Sequence, residues 1–375
     1  MAQQRSEVGG RNATGPLESP EVARREGSTG TPVITVLITA YNRIPFVARA
    51  LESACAQSLD PELFEILVVS NRKEHSEVAR EARTRHPQSE ISVALMEDPP
   101  LGEQLALGFE LARGRVVSLL NDDDEWRPQK LARVASAFTS NPSLAYFKDG
   151  TGFIDHDGRE LNHRPGPGSR TKRRVSSGLI IDSRDPGAIR ATLRWNPIDF
   201  NDSSISVARD VVLGALPEMR SIRTNEDTFL FYVCAVSGRP LEVTDDPLTM
   251  YRVHGGGMSQ SSRGDEESSW RKLIANDEGN STAMEVIRRF ALEHRRGDLL
   301  PLIERDCEYF RLVALTRRPE IGRADRARQL ARFLPLMFRS RVPAGLRATG
   351  WATLSLLTRR AGRMGYNAVR NFESR

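Results

Sequence analysis

Hydrophobic positions in the first third of the chain come as short dense runs separated by longer stretches of mixed polarity. Val33–Ile38 is almost wholly apolar and β-branched, the pattern of a strand covered on both faces. Residues 45–57 then read as a helix. Ile66–Val69 predicts a second strand and 74–86 a charged helix. Ile91–Leu95, residues 102–113 and Val116–Leu120 continue the series as strand, helix and strand. This alternation predicts a parallel sheet in an α/β layer. After about residue 265 the pattern turns helical, with breaks near Pro319, Pro343 and Gly350. Residues 1–32 have no aromatic residue and are rich in Gly, Ser, Pro and charge, so they are expected to form a flexible leader. A polar Pro/Gly-rich stretch at 157–174 reads as a loop between two halves.

Composition narrows the class. The chain has 375 residues, 39% hydrophobic and 27% charged, enough for one large domain with an appendage. Its three cysteines, Cys55, Cys234 and Cys307, are odd in number and widely spaced, which suits reduced thiols and a cytoplasmic protein. No window reaches the roughly 18–20 apolar residues of a membrane-spanning helix. The net charge of +5 is uneven: residues 321–375 hold 12 Arg and two acids, so everything before them is net acidic. A nucleic-acid partner is therefore not expected.

The densest chemistry lies directly behind the fourth predicted strand, in Asn121-Asp122-Asp123-Asp124-Glu125-Trp126. Ligands of open α/β sheets bind beyond the carboxyl ends of the strands. Carboxylates gathered there repel one another unless a cation joins them, and hard oxygen ligands suit Mg²⁺ or Mn²⁺. The competing reading is that these acids cap a helix starting near Arg127-Pro128. Farther on, Asp245-Asp246 before Pro247 reads as a turn, and Gly255-Gly256-Gly257 as a hinge after His254. Asp227 reads on its own as a first-turn acid of a helix at Thr228–Val236.

With these pieces in place, the chain resembles glycosyltransferase family 2 over roughly residues 33–260. VITVLITAYNR (Val33–Arg43) is similar to the family's opening strand and Thr-x-Tyr-Asn turn. ALESACAQSL (Ala50–Leu59) is similar to the helix after it, and Glu65–Val69 to the second strand. LNDDDEWRPQKL (Leu120–Leu131) resembles the metal-binding loop, TNEDTF (Thr224–Phe229) the catalytic-base segment, and Tyr251–His254 the closing donor-site segment.

The resemblance implies a GT-A-type, Rossmann-like, mostly parallel sheet flanked by helices, with a helical appendage at the C-terminus. It divides the chain into a leader (1–32), a glycosyltransferase domain (33–262) and a basic helical region (263–375). It implies an inverting enzyme that moves one sugar from a nucleotide diphosphate sugar to an acceptor hydroxyl. Thr39 and Tyr41 would contact the nucleoside, Asp122 the ribose, and Asp123 a Mn²⁺ or Mg²⁺. Asp122 and His254 would stand beside that metal, His254 closing over the diphosphate. Asp227 would be the general base, with Glu226 in reserve.

Two positions depart from the family pattern. Asn121 replaces the first Asp of the metal motif, and Ser70-Asn71 replaces an acid pair that faces the nucleobase. Asn71 can accept a base N–H but also presents two donors. A nucleotidyltransferase would carry a Gly-rich loop where Thr39–Arg43 stands. A degenerate sugar-binding scaffold would suit Asn71 and Asn121, but not the retained Asp122, Asp123 and Asp227. The Arg-rich tail at 321–375, interleaved with Leu330, Phe333, Leu334 and Phe338, reads in two ways. It is either a peripheral contact with an anionic inner membrane face, suited to a lipid-linked acceptor, or a docked helical cap.

Overall fold

The computed structural model describes residues 30–162, 178–193, 198–254 and 266–317, with isolated positions at 322, 324–325, 327–328 and 331–332. Its centre is one sheet. Strands β1 (Ile34–Ala40), β2 (Phe64–Ser70), β3 (Ile91–Leu95) and β4 (Val116–Asn121) pair in parallel in the order β3-β2-β1-β4. Helices α1 (Ile44–Cys55), α2 (Glu74–Arg85) and α3 (Leu101–Leu111) connect them. The apolar runs are strands because both of their faces are covered. Leu37, Leu67 and Leu119 join one hydrophobic cluster, while Val36, Ile38, Ile66 and Leu120 join a second. Successive side chains of a strand point to opposite faces, so a strand between two layers must be apolar at nearly every position.

Beyond β4 the sheet becomes mixed. Following β5 (Glu125–Trp126), α4 (Lys130–Ser140), β6 (Tyr146–Ile154), β7 (Glu160–Leu161), β8 (Leu179–Ile181) and α5 (Pro186–Leu193) comes β9 (Ile205–Ala208). That strand runs antiparallel between β4 and β6. Helices α6 (Arg209–Leu213), α7 (Leu216–Arg220) and α8 (Glu226–Val236) lead to the long β10 (Leu241–Arg252). β10 lies parallel to β6 and antiparallel to β5 and β8. Helices α9 (Glu266–Glu293) and α10 (Leu300–Arg317) complete the described chain.

Two local expectations need correction. Asp245-Asp246-Pro247 is not a turn between elements. It lies inside β10, where the register with β6 shifts on both sides of Pro247. A Cβ at Gly150 would collide with the Asp245 carbonyl, so the glycine is what lets the bulge approach. The acid run also does not cap a helix at Arg127-Pro128. Glu125 and Trp126 turn back as β5 to pair with Met250 and Thr249, and α4 starts only at Lys130 without a side-chain cap.

The loop 157–174 falls mostly outside the described residues, as do the glycines after His254, the leader, and nearly all of 321–375. The three cysteines are buried free thiols. Among the described residues no helix is long and apolar enough to cross a membrane.

Candidate active site

The site is positioned by register. β1 lies between β2 and β4, and the three strands end level: Ala40 pairs with Ser70, and Thr39 pairs with both Val69 and Asn121. The residues that follow, Asn71, Tyr41 and Asp122, therefore emerge side by side at the carboxyl edge of the sheet. Asp122 is buried, and its Oδ2 accepts the Tyr41 backbone N–H at 2.9 Å, tying the two loops together. The Tyr41 ring stays exposed while its hydroxyl donates to Asp98 at 2.8 Å. That hydrogen bond raises the phenol above its usual range. Asn71 is half-buried, with a buried Oδ1 that has no hydrogen-bond partner among the described residues.

The four acids have divided duties. Asp124 is fully structural: Oδ2 accepts from the Ser203 hydroxyl at 2.6 Å and Oδ1 from the Arg252 N–H at 2.9 Å. Burial pushes its carboxyl up to about 6. Glu125 pairs with the Arg252 guanidinium. Arg252 also donates to the Asp123 carbonyl at 2.7 Å and to the carbonyls of Asp155 and His156, and it lies 4.9 Å from the centre of the Phe46 ring. Asp122 and Asp123 directly follow the end of β4. Both meet Arg43, at 3.0 Å for Asp122 Oδ1 and in direct contact for Asp123 Oδ2.

His254 is delivered to the same place by the end of β10. Its Nε2 is 3.0 Å from Asp123 Oδ2, and its ring rests 4.9 Å from Phe46. Burial, with Arg43 and Arg252 adding to it, pushes the imidazole down to about 4. It is therefore neutral at ordinary pH, the form that ligates metals. Among the described residues no three His, Cys, Asp or Glu side chains form a metal cluster. What the chain supplies is a carboxylate oxygen and a neutral imidazole nitrogen converging from two loops. That pair fits part of the ligand set of a divalent cation.

A second acidic group lies behind the segment 201–204. Asp227, half-buried in the first turn of α8, accepts N–H groups from Asn201 and Thr228, each at 2.8 Å. Burial, and then the charge of Glu226, raise its carboxyl to about 7. Glu226 is raised mainly by burial, and Asp202 well above its usual range by burial and by Glu226, to which it is hydrogen-bonded. Two carboxyl groups in hydrogen-bond contact need a proton between them. Ser203 links this group to the acid loop, since its Oγ also accepts the Asn121 N–H at 3.0 Å and its carbonyl accepts Trp126 Nε1 at 2.7 Å.

The structure thus gathers Tyr41, Asp122, Asp123 and His254 directly, flanks them with Thr39, Asn71 and Asn121, and joins Asp227 and Glu226 through residues 201–203. Sequence reasoning missed Arg43, Asp202, Ser203 and Arg252. The polar run Asn201-Asp202-Ser203-Ser204, standing directly before a buried strand, was the available signal for two of them.

Comparison with known proteins shows the family. The sequence model of Glycosyl transferase family 2 matches residues 35–193. The succinoglycan biosynthesis protein ExoO of Rhizobium meliloti is 30% identical over 269 residues, covering 70% of this chain and 70% of that protein. The chain belongs to glycosyl transferase family 2. It is a glycosyltransferase, and its acid loop and the turn after β1 lie within the matched segment. An uncharacterised glycosyltransferase of Nostoc, alr2836, is 23% identical over 241 residues, covering 63% of this chain and 70% of that one. Among solved structures, S. aureus TarS residues 1–349 superpose with a TM-score of 0.50 at 12% identity, over 85% of this chain and 90% of that one. That likeness shows the shared GT-A-type fold of this family 2 enzyme.

Proposed function

We propose that this transferase moves a single sugar, with inversion, from a nucleotide diphosphate sugar onto an acceptor hydroxyl. The observation that carries the reading is the convergence of Asp122, Asp123, Arg43 and His254 at the level ends of β1 and β4. The TarS structure of like fold holds UDP-GlcNAc. A donor of that class presents a diphosphate, for which an edge carrying Arg43 and a cation-binding carboxylate is chemically suited. A glycan acceptor, lipid-linked or free, is in keeping with ExoO, which is named for succinoglycan biosynthesis. The Arg-rich segment 321–375 is then a candidate contact with an anionic membrane surface.

Inversion is one displacement at the anomeric carbon, so the enzyme must orient the acceptor, remove its proton and accommodate a departing diphosphate. Tyr41 and Asn71 would line the nucleoside side, with Asp122 holding the Tyr41 backbone in place. Asp123 and His254 would hold a Mn²⁺ or Mg²⁺, which when bound offsets negative charge on the diphosphate. Asp227 would take the acceptor proton. Each of its oxygens accepts one N–H and keeps a lone pair free. Its raised affinity for protons makes it a stronger base than an ordinary carboxylate. Glu226 is engaged with Asp202, which favours Asp227 for the task.

Asp123→Ala tests the metal side. Transfer should fall to background, and Mn²⁺ should no longer raise the thermal stability of protein mixed with nucleotide. Full transfer by that variant in EDTA would remove the metal from the reading.

A further inference from the structure

Two arginines serve the acid loop, and they differ in freedom. The Arg252 side chain has no exposed surface and is bound to three backbone carbonyls and Glu125. The Arg43 side chain is 24% exposed, and its hydrogen bonds among the described residues go to the carboxylates of Asp122 and Asp123. His254 Nε2 stands 3.0 Å from the Asp123 oxygen that Arg43 contacts. The guanidinium and a cation held by Asp123 and His254 would compete for one oxygen atom.

The surrounding bonds anchor the Arg43 backbone, while its side chain is held among the described residues by the ion pairs to Asp122 and Asp123. Two residues earlier the Tyr41 N–H is fastened to Asp122, and one residue later α1 begins, with the Arg43 carbonyl accepting from Phe46 at 2.9 Å. A guanidinium matches phosphate oxygens at least as well as carboxylates, through paired N–H donors. A pair of carboxylates left without any cation is self-repelling.

We infer that Arg43 is a displaceable counter-ion of the donor site. It neutralises Asp122 and Asp123 while no nucleotide is bound. An arriving diphosphate draws the guanidinium onto itself, which releases Asp123 Oδ2 for the divalent cation. This rests on the metal-assisted donor site proposed above. It adds that Arg43 is a positioning residue that couples cation binding to donor binding. Cation and nucleotide then raise each other's affinity by the same factor, as linkage requires. Part of that factor comes from cation–phosphate bonds, and part from removal of Arg43.

The test titrates Mn²⁺ into the full chain without nucleotide and with saturating UDP, GDP or dTDP, for wild type, Arg43→Gln and Arg43→Lys. Binding is read by calorimetry, and far-UV circular dichroism checks the fold of each variant. Without nucleotide, Arg43→Gln should bind Mn²⁺ at least about tenfold tighter than wild type, since a cation next to the ligand oxygen is gone. The nucleotide-induced gain in Mn²⁺ affinity should shrink in Arg43→Gln and persist in Arg43→Lys, which keeps a mobile cation. An equal gain in wild type and Arg43→Gln overturns the inference, because a fixed counter-ion would weaken both states alike. If wild type binds no Mn²⁺ with any of the nucleotides, the metal reading itself fails and the inference falls with it.

Discussion

Asp227 is held by two backbone N–H groups, yet burial leaves its carboxyl with a proton affinity near neutrality, at about 7. A base of this kind is active only when deprotonated, so kcat should rise with pH through about 7 and level off above it. Asp227→Asn should lower kcat at least ~100-fold and leave nucleotide affinity near wild type. If Glu226→Gln is the crippling change and Asp227→Asn is mild, the base is the neighbouring residue. The same proton affects stability with opposite sign. The folded state holds it more tightly than an unfolded Asp would, so this contribution is complete in acid and is lost as pH rises through about 7. As pH rises from about 4, where an unfolded Asp loses its proton, to about 7, Asp227→Asn should therefore lose less thermal stability than wild type, a difference readable by calorimetry. Asn71 makes a separate statement at this scale. Its buried Oδ1 has no partner among the described residues, an arrangement that costs free energy unless something else supplies a donor. Asn71→Asp should shift nucleotide preference, measured by thermal shift across UDP, GDP and dTDP, toward uridine. An unchanged ranking would take Asn71 out of the base pocket.

The strand β10 does more for the site than its sequence discloses. It pairs with β5, carries Arg252 into the centre of the acid loop and ends by delivering His254. Replacing Arg252 by Met would leave Glu125 and the carbonyls of Asp123, Asp155 and His156 without their side-chain donor. Breaking a buried pair of this kind costs about 3–5 kcal/mol. Arg252→Met should thus lower the melting temperature by roughly 6–15 °C and abolish Mn²⁺-dependent stabilisation by nucleotide. A variant of wild-type stability would show that the loop is held by its other bonds. Legibility follows the same line. β1 to β4 could be read because a strand buried on both faces must be apolar throughout, and the acid run because four consecutive acids directly after an apolar strand stand out in any sequence. β10 could not be read as one strand, because its bulge places Asp245, Asp246 and Pro247 where a turn would put them. Arg252 was missed for a related reason: an arginine is ordinarily a surface residue, and only the carbonyls of Asp123, Asp155 and His156, from distant parts of the chain, make it internal.

At the scale of the whole molecule, the last two described helices belong to the core of the sheet. Met284, Ile287, Phe290 and Ala291 of α9, and Leu302, Ile303 and Cys307 of α10, share one hydrophobic cluster with Phe229, Phe231 and Tyr232 of α8. Polar bonds reinforce the joint. The Tyr232 hydroxyl donates to Asp306 at 3.1 Å, and Arg296 donates to the carbonyls of Ala235 and Ser183, each at 2.7 Å. The joint also reaches the candidate base, since Asn225 directly precedes Glu226 and its side-chain amide lies 3.6 Å from Met284 Sδ. On the neighbouring turn a Cβ at Gly279 would strike the Thr224 side chain, so α9 approaches that segment closely. Burying a large apolar side chain is worth about 1.5–3 kcal/mol, so losing Met284, Ile287, Phe290, Leu302 and Ile303 removes an amount comparable to a typical total stability of about 5–15 kcal/mol. We therefore expect the catalytic unit to extend to about residue 317. A chain of residues 1–320 should unfold cooperatively and retain Mn²⁺-dependent donor hydrolysis, whereas residues 1–262 should aggregate or unfold without a transition in calorimetry. The shorter chain has lost the cover of α8, and with it the support of Glu226 and Asp227. Should residues 1–262 hydrolyse donor at the full-length rate, the helical pair is dispensable to the chemistry and its packing serves something other than the site.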